Sequence, residues 1–275
     1  MTQPTNQDTG PGQGTAAARL LAGYFTHATD PTKCALQVSG GKDSLACLYL
    51  LRPHWDALTV MWCNSGAAFP ETIEQMDRIR AMVPHFLEVK GNQPAHVELM
   101  GLPADVVPVR NTAVGKEIQP NDDVLLQSSF DCCAASRWFP THKAVIDLGA
   151  TLIIRGQRKA EARRADITSG YTESGITVCL PIEDWSDQQV FDFLRRKGVE
   201  IPNYYEYTNK ALDCWSCTAY MDEGRGLMRY MREKHPVLWR QYEPRLRQVR
   251  DAARAELAHV EAALQVDEGQ PVPRP

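Results

Sequence analysis

The sequence predicts an α/β protein, a doubly wound and mostly parallel sheet with helices on both faces and a helical extension at the C-terminus. Three observations carry that expectation. Short apolar runs rich in β-forming residues recur at Cys34–Val38, Leu58–Cys63, His85–Val89, Thr151–Ile154 and Ile176–Leu180. Segments with helical spacing separate them, and strands alternating with helices belong to a parallel sheet. The 275 residues are 43% apolar and 23% charged, the mix of an ordinary globular chain able to bury a large core.

Each element has a local reason. Helices are expected over Ala16–His27, Ser44–Leu51, Glu71–Met82, Ser136–Leu148 and Ser186–Lys197. Pro70 followed by Glu71 suits a first helical turn, and Ser186 followed by Asp187 supplies an N-cap and a first-turn acid. Leu227–Gln265 reads as helix broken at Pro236 and again at Pro244, because proline lacks the amide hydrogen a helix interior needs. No strand or helix is assigned within Asn92–Phe130. Gly/Pro-rich, polar tails are expected over 1–15 and 266–275, a main domain over 16–222 and a helical extension over 223–265.

Composition excludes several classes. The net charge of −4 creates no global field for polyanions, so a nucleotide or nucleic-acid site has to be local. No apolar run reaches the roughly 18 residues of a membrane helix, and the N-terminus lacks the basic start and apolar stretch of a signal peptide. A cytoplasmic protein is the expectation. No repeat of 20–50 residues points to a solenoid or propeller. The eight cysteines then favour metal binding, catalysis or burial over disulfides.

Two motifs carry chemistry. Ser39-Gly40-Gly41-Lys42-Asp43-Ser44 lies between an expected strand and an expected helix. Its glycines let the backbone turn tightly and bring amide groups to an anion, while the helix start and Lys42 add positive charge. That is a phosphate cradle, although its spacing is not that of a Walker A loop. The second motif is the tandem Cys132-Cys133 with Cys214-x-x-Cys217 80 residues further on. Four thiolates suit either tetrahedral zinc or a cubane cluster.

The hexapeptide resembles the pyrophosphate-binding loop of the PP-loop adenine-nucleotide hydrolases, which include the phosphoadenosine phosphosulfate (PAPS) and adenosine phosphosulfate (APS) reductases. Further segments resemble that family in order. Asn64-Ser65-Gly66-Ala67-Ala68-Phe69-Pro70-Glu71-Thr72 is similar to its Asp-Thr-Gly-x-x-Phe-Pro-Glu-Thr, with Asn64 for Asp. Gly156-Gln157-Arg158, with Glu161 and Arg164 after it, resembles its Gly-x-Arg signature, and Pro181–Ser186 its Pro-Leu-x-Asp-Trp segment. Cys132–Pro140 resembles Cys-Cys-x-x-x-Lys-x-x-Pro, with Arg137 in place of Lys.

The resemblance implies a HUP-like fold and an adenine nucleotide held by Ser39, Gly40, Gly41, Lys42, Asp43, Ser44, Ser65, Gly66, Phe69, Gly156, Arg158 and Arg164. It implies a [4Fe-4S] cluster on Cys132, Cys133, Cys214 and Cys217, the spacing of the APS-type members. It implies an enzyme of sulfur metabolism, reducing a sulfonucleotide with thioredoxin or glutaredoxin as partner. Those reductases use a Cys in a C-terminal Glu-Cys-Gly-Leu-His motif, whereas no cysteine follows Cys217 here; Cys63, ending the second strand, is the substitute inside the chain. The alternative is an ATP-using enzyme that adenylylates a target for sulfur insertion, as in DNA phosphorothioation or tRNA thiolation, with Lys42 on the phosphates, Asp43 placing Mg²⁺ and a sulfur-transfer protein or nucleic acid as partner. A non-catalytic nucleotide- and cluster-binding module is the third reading. Lys42, Asp43, Arg137 and Cys63 are the candidate catalytic residues.

Overall fold

The computed structural model describes residues 15–27, 30–161, 165–222 and 224–265. In chain order the elements are α1 (Ala16–Phe25), β1 (Cys34–Val38), α2 (Lys42–Leu50), β2 (Thr59–Asn64), α3 (Pro70–Met82), β3 (Phe86–Lys90), α4 (Gln93–Met100), β4 (Leu102–Ala104), α5 (Ala113–Ile118), β5 (Leu126–Ser128), α6 (Ser129–Cys133), α7 (Phe139–Leu148), β6 (Leu152–Ile154), β7 (Thr172–Glu173), β8 (Ile176–Cys179), α8 (Asp187–Arg196), α9 (Arg225–Lys234) and α10 (Pro236–Leu264). They fall into two compact units. One lies within Met1–Gly91 and Arg137–Cys214, the other within Asn92–Ser136 and Trp215–Pro275.

The first unit is built on a six-stranded sheet of order β3-β2-β1-β6-β8-β7. All neighbours run parallel except β7 and β8. Strand alternation splits its core into two layers. Cys34, Leu36, Val38, Val60, Trp62 and Ile154 pack with Leu45, Leu48, Met76, Ile79 and Val190 of α2, α3 and α8. Ala35, Met61, Val89 and Ile153 point the opposite way, onto Val145 of α7. The chain thus winds outward from β1 to β2 and β3, then returns to place β6 on the other side of β1. That reversal makes the carboxyl ends of β1 and β6 the switch point, where doubly wound sheets bind ligands.

The second unit contains a two-stranded parallel sheet of β4 and β5. Leu102, Ala104 and Leu126 of these strands cluster with Val249 of α10. This is the segment to which the sequence assigns no element: strands of three residues are too short to display a period.

Two helical expectations need correction. A turn of π-helix, Ala134–Trp138, comes before α7, so the helix begins later than Ser136. Pro140 fits because it occupies the first turn, where its missing N–H costs nothing. The break expected at Pro244 is absent, and α10 runs unbroken through it. An interior proline costs about 3 kcal/mol; burial of Tyr242 and Val249 on either side contributes roughly 1.5–3 kcal/mol each and offsets it. Among the described residues no helix is long and apolar enough to cross a membrane.

Candidate phosphate and thiol sites

The β1–α2 turn is shaped by its glycines. Gly40 has a φ of +83°, the left-handed region that penalises any side chain. A Cβ there would also lie 3.1 Å from Met76 Cε and 3.5 Å from Thr72 Cγ2 of α3. At Gly41 a Cβ would fall 2.6 Å from that of Ala211. Ser44 ties the turn, its Oγ accepting the Ser39 amide at 3.2 Å and donating to Gly41 O at 2.9 Å. The loop after β6 is set against this one. A Cβ on Gly156 would stand 2.6 Å from the carbonyl carbon of Asp43, so only glycine lets the two backbones approach.

Four charged side chains meet where these loops converge. Lys42 is 3% exposed and Arg158 4%. Lys42 Nζ lies 2.8 Å from Asp43 Oδ2 and 3.0 Å from Asp187 Oδ1. Arg158 spans the same two carboxylates, Nε at 2.6 Å from Asp43 Oδ1 and Nη2 at 2.7 Å from Asp187 Oδ1. Its Nη1 donates to the Trp185 carbonyl. Asp187 is the first residue of α8, after the Ser186 capping box. Burial would raise its pKa, but hydrogen bonding and charge from Lys42 and Arg158 outweigh burial and hold it below the ordinary value.

Glu161 closes the group, accepting the Arg158 amide at 2.9 Å. Burial pushes its pKa up. Above Lys42, Tyr205 takes the Lys42 amide on its hydroxyl at 2.6 Å, and Phe191 and Tyr205 face the ammonium with ring centroids 5.9 and 5.8 Å away. Burial raises the Tyr205 phenol strongly, so it stays a neutral hydroxyl. Sequence reasoning placed Asp187 only as a helix-start acid and passed over Tyr205, which lies outside every motif.

The β2–α3 segment is a second turn of the same unit. Asn64 Oδ1 accepts the Gly66 amide at 3.0 Å, and its Nδ2 donates to Glu88. Gly66 has a φ of +82°, Ser65 Oγ accepts the Ala67 amide, and Phe69 is fully buried. Arg137 forms an ion pair with Asp213 at 3.0 Å. The Cys63 thiol points to the Arg137 carbonyl at 3.7 Å. Arg164 lies outside the described residues.

The four spaced cysteines divide between the units. Cys214 belongs to the first, its Sγ 3.1 Å from Ser65 Oγ and its backbone bridged to Ala68. Cys132, Cys133 and Cys217 belong to the second. There Tyr220, at a φ of +63°, is held by the Asp105 carboxylate, which accepts the Tyr220 and Met221 amides at 2.8 and 2.9 Å. Its hydroxyl lies 3.7 Å from Cys133 Sγ. Burial raises the Tyr220 phenol, with Cys133 and Cys217 adding to the shift. The donor set is chemically apt for an iron–sulfur cluster. Among the described residues, however, no group of three or more His, Cys, Asp or Glu is drawn together as metal ligands.

The chain is 22% identical over 197 residues to the phosphoadenosine 5'-phosphosulfate reductase of Gloeobacter violaceus, covering 70% of this chain and 74% of that protein. It is 25% identical over 175 residues to the adenosine 5'-phosphosulfate reductase of Neisseria meningitidis, covering 60% of this chain and 63% of the relative. A crystal structure of PAPS reductase from Candida auris superposes with a TM-score of 0.46 at 16% identity, covering 72% of this chain and 93% of that one. Residues 33–220 match the family model of the phosphoadenosine phosphosulfate reductase domain, and the chain belongs to that family.

Proposed function

We propose that the chain is an adenine-nucleotide-dependent enzyme of sulfur chemistry that takes the nucleotide's phosphate chain on Lys42, Arg158 and the amides of the Ser39–Ser44 loop. The observation that carries this is the charged quartet at the β1/β6 switch point, in which the buried Lys42 and Arg158 meet the more exposed Asp43 and Asp187. Two cations sit under a glycine turn at a helix start, the arrangement an anion requires. Arg158 offers a planar fork to two oxygens at once, which a lysine cannot do.

The same quartet favours ATP with Mg²⁺ over a sulfonucleotide. A phosphate chain competes with Asp43 and Asp187 for Lys42 and Arg158, and the displaced carboxylates need a new positive partner. Mg²⁺ is usually held by one or two carboxylates together with substrate phosphates, and Asp43 and Asp187 are suitably placed. When bound it would neutralise charge on the phosphates. Lys42 and Arg158 stabilise the leaving pyrophosphate as the target is adenylylated, with positive charge already in place where negative charge develops. The neutral Tyr205 hydroxyl yields the Lys42 amide to a phosphate oxygen.

Sulfonucleotide reduction is the second reading, carried by the half-buried Cys63 thiol at the carboxyl end of β2. In that case thioredoxin or glutaredoxin is the partner; in the ATP case it is a sulfur-transfer protein or a thiolated nucleic acid. Calorimetry with ATP, APS and PAPS, each with and without Mg²⁺, separates the two. Tight ATP binding that needs Mg²⁺, with AMP and pyrophosphate as products, is expected. Sulfite release from APS or PAPS that is lost in Cys63→Ala, with no ATP binding, would overturn the ATP reading.

We also propose that Cys132, Cys133, Cys214 and Cys217 hold a [4Fe-4S] cluster, on the strength of their spacing. Anaerobically purified protein should carry about four iron and four labile sulfide, the cubane stoichiometry. Stoichiometric zinc without iron would refute this.

A further inference from the structure

Arg155 is a half-buried cation that the phosphate site does not use. It follows β6 directly, and its amide continues the ladder by donating to Cys179 O at 3.1 Å. Its Nε is shut off from solvent and has no hydrogen-bond partner, and no carboxylate pairs with it among the described residues. Burial alone depresses its pKa. Arg158, three residues on, has two carboxylates on its guanidinium. A half-buried guanidinium whose inaccessible Nε has no partner leaves part of its desolvation uncompensated, which a bound anion would offset.

Its direction follows from the sheet. Because side chains alternate along a strand, Arg155 shares a face with Ile153, packed under α7. Leu36 pairs with Ile154, and Gln37 with Met61, so Arg155, Gln37 and Met61 form one row across three strands. Cys63 lies two residues beyond Met61 on the same face. Two strand spacings, about 10 Å, and two residues along β2, about 7 Å, put the Cα atoms of Arg155 and Cys63 about 12 Å apart, a gap the arginine side chain is long enough to shorten. Under the body of α7 this face is apolar: Ala35, Met61, Ile153, Val145. At its carboxyl edge it turns polar and half-exposed, with Gln37, Cys63 and Arg155 together. Lys42 and Asp187 begin α2 and α8, which pack on the opposite face.

We infer that Arg155, with Gln37, forms a second anion site on the α7 face beside the Cys63 thiol, and that it takes the oxyanion of the reactant that meets the nucleotide. The inference deepens the proposed function by giving the second reactant a charged handle, and it rests on that reading only for the reactant's role. The ligand class is a small oxyanion such as sulfate, sulfite or a carboxylate, received by the planar guanidinium and the Gln37 amide.

Cys63 serves as the reporter. Its alkylation by iodoacetate and by neutral iodoacetamide is followed in the full-length protein by peptide mass spectrometry. An anion site beside the thiol favours iodoacetate, and Arg155→Gln should lower the iodoacetate-to-iodoacetamide rate ratio at Cys63 by about fivefold or more. Arg155→Lys, which keeps the charge, should retain most of the preference. Sulfate or sulfite should slow iodoacetate at Cys63 in the unaltered protein, a result that needs no variant to fold. Lys42→Ala should leave this protection intact, so that failure of the nucleotide reading and failure of the anion site are told apart. An unchanged ratio in Arg155→Gln, or no protection of unaltered Cys63 by either anion, would overturn the inference.

Discussion

Replacing Lys42 with alanine tests the centre of the proposed site. Lys42 is nearly inaccessible, and breaking a buried ion pair usually costs 3–5 kcal/mol because the surviving charge is stranded. Here neither carboxylate is stranded. Asp43 retains Arg158 Nε at 2.6 Å and Asp187 retains Arg158 Nη2 at 2.7 Å, while the Asp43 and Asp187 side chains are 22% and 50% exposed. Unfolding in urea should therefore reveal a loss of about 1–2 kcal/mol, below the stranded-charge range. Nucleotide binding should suffer more. A hydrogen bond to a charged group contributes about 1.5–3 kcal/mol, which corresponds to an affinity for Mg²⁺-ATP lowered about 10- to 150-fold in calorimetry. Unaltered affinity, or a stability loss of the full stranded-charge size, would refute the reasoning.

Other outcomes follow from the same geometry. Gly156→Ala drives a Cβ to 2.6 Å from the Asp43 backbone; the loops must separate, and thermal melting and nucleotide binding should both fall. Tyr205→Phe strips the Lys42 amide of its acceptor and should cost the nucleotide-free protein about 1–3 kcal/mol, the penalty for an unsatisfied buried donor. If a phosphate oxygen takes that amide, the complex is spared and affinity rises; weaker binding in Tyr205→Phe would count against the cradle. Asp187 has a depressed pKa, so its stabilisation is complete above the ordinary carboxylate value of 3.8 and is lost as pH falls through its lowered folded value. Acid titration of Asp187→Asn should lack that part of the stability decline seen in the parent chain.

β1, β2, β3, β6 and β8 of the main sheet are legible from sequence because they form apolar runs, and β1 appears with the bounds expected, Cys34–Val38; β7, two exposed polar residues, leaves no such signal. The Ser39–Ser44 turn is legible because glycine pairs and a helix start leave a local signature. Asp187 and Tyr205 leave none, since their roles depend on distant segments brought onto Lys42. The β4–β5 pair is hidden for a similar reason. Its strands are short, and Val249, which completes their cluster, lies far along the chain. Pro244 misleads in the opposite direction, as a strong local rule overridden by tertiary burial.

The sheet's strand order also governs how the chain is made. β1 acquires β2 almost at once, but its other edge stays open until β6 emerges, after the whole stretch from Val38 to Leu152. The intervening Asn92–Ser136 belongs to a unit whose remaining part begins only at Trp215. Neither unit can close on the ribosome until synthesis has passed well beyond its opening segment. A growing chain therefore presents an unpaired apolar edge for a long interval, the condition under which nascent proteins stray into aggregates. Yield in cells should accordingly depend on chaperone supply and translation speed more steeply than the stability of the finished protein alone would suggest.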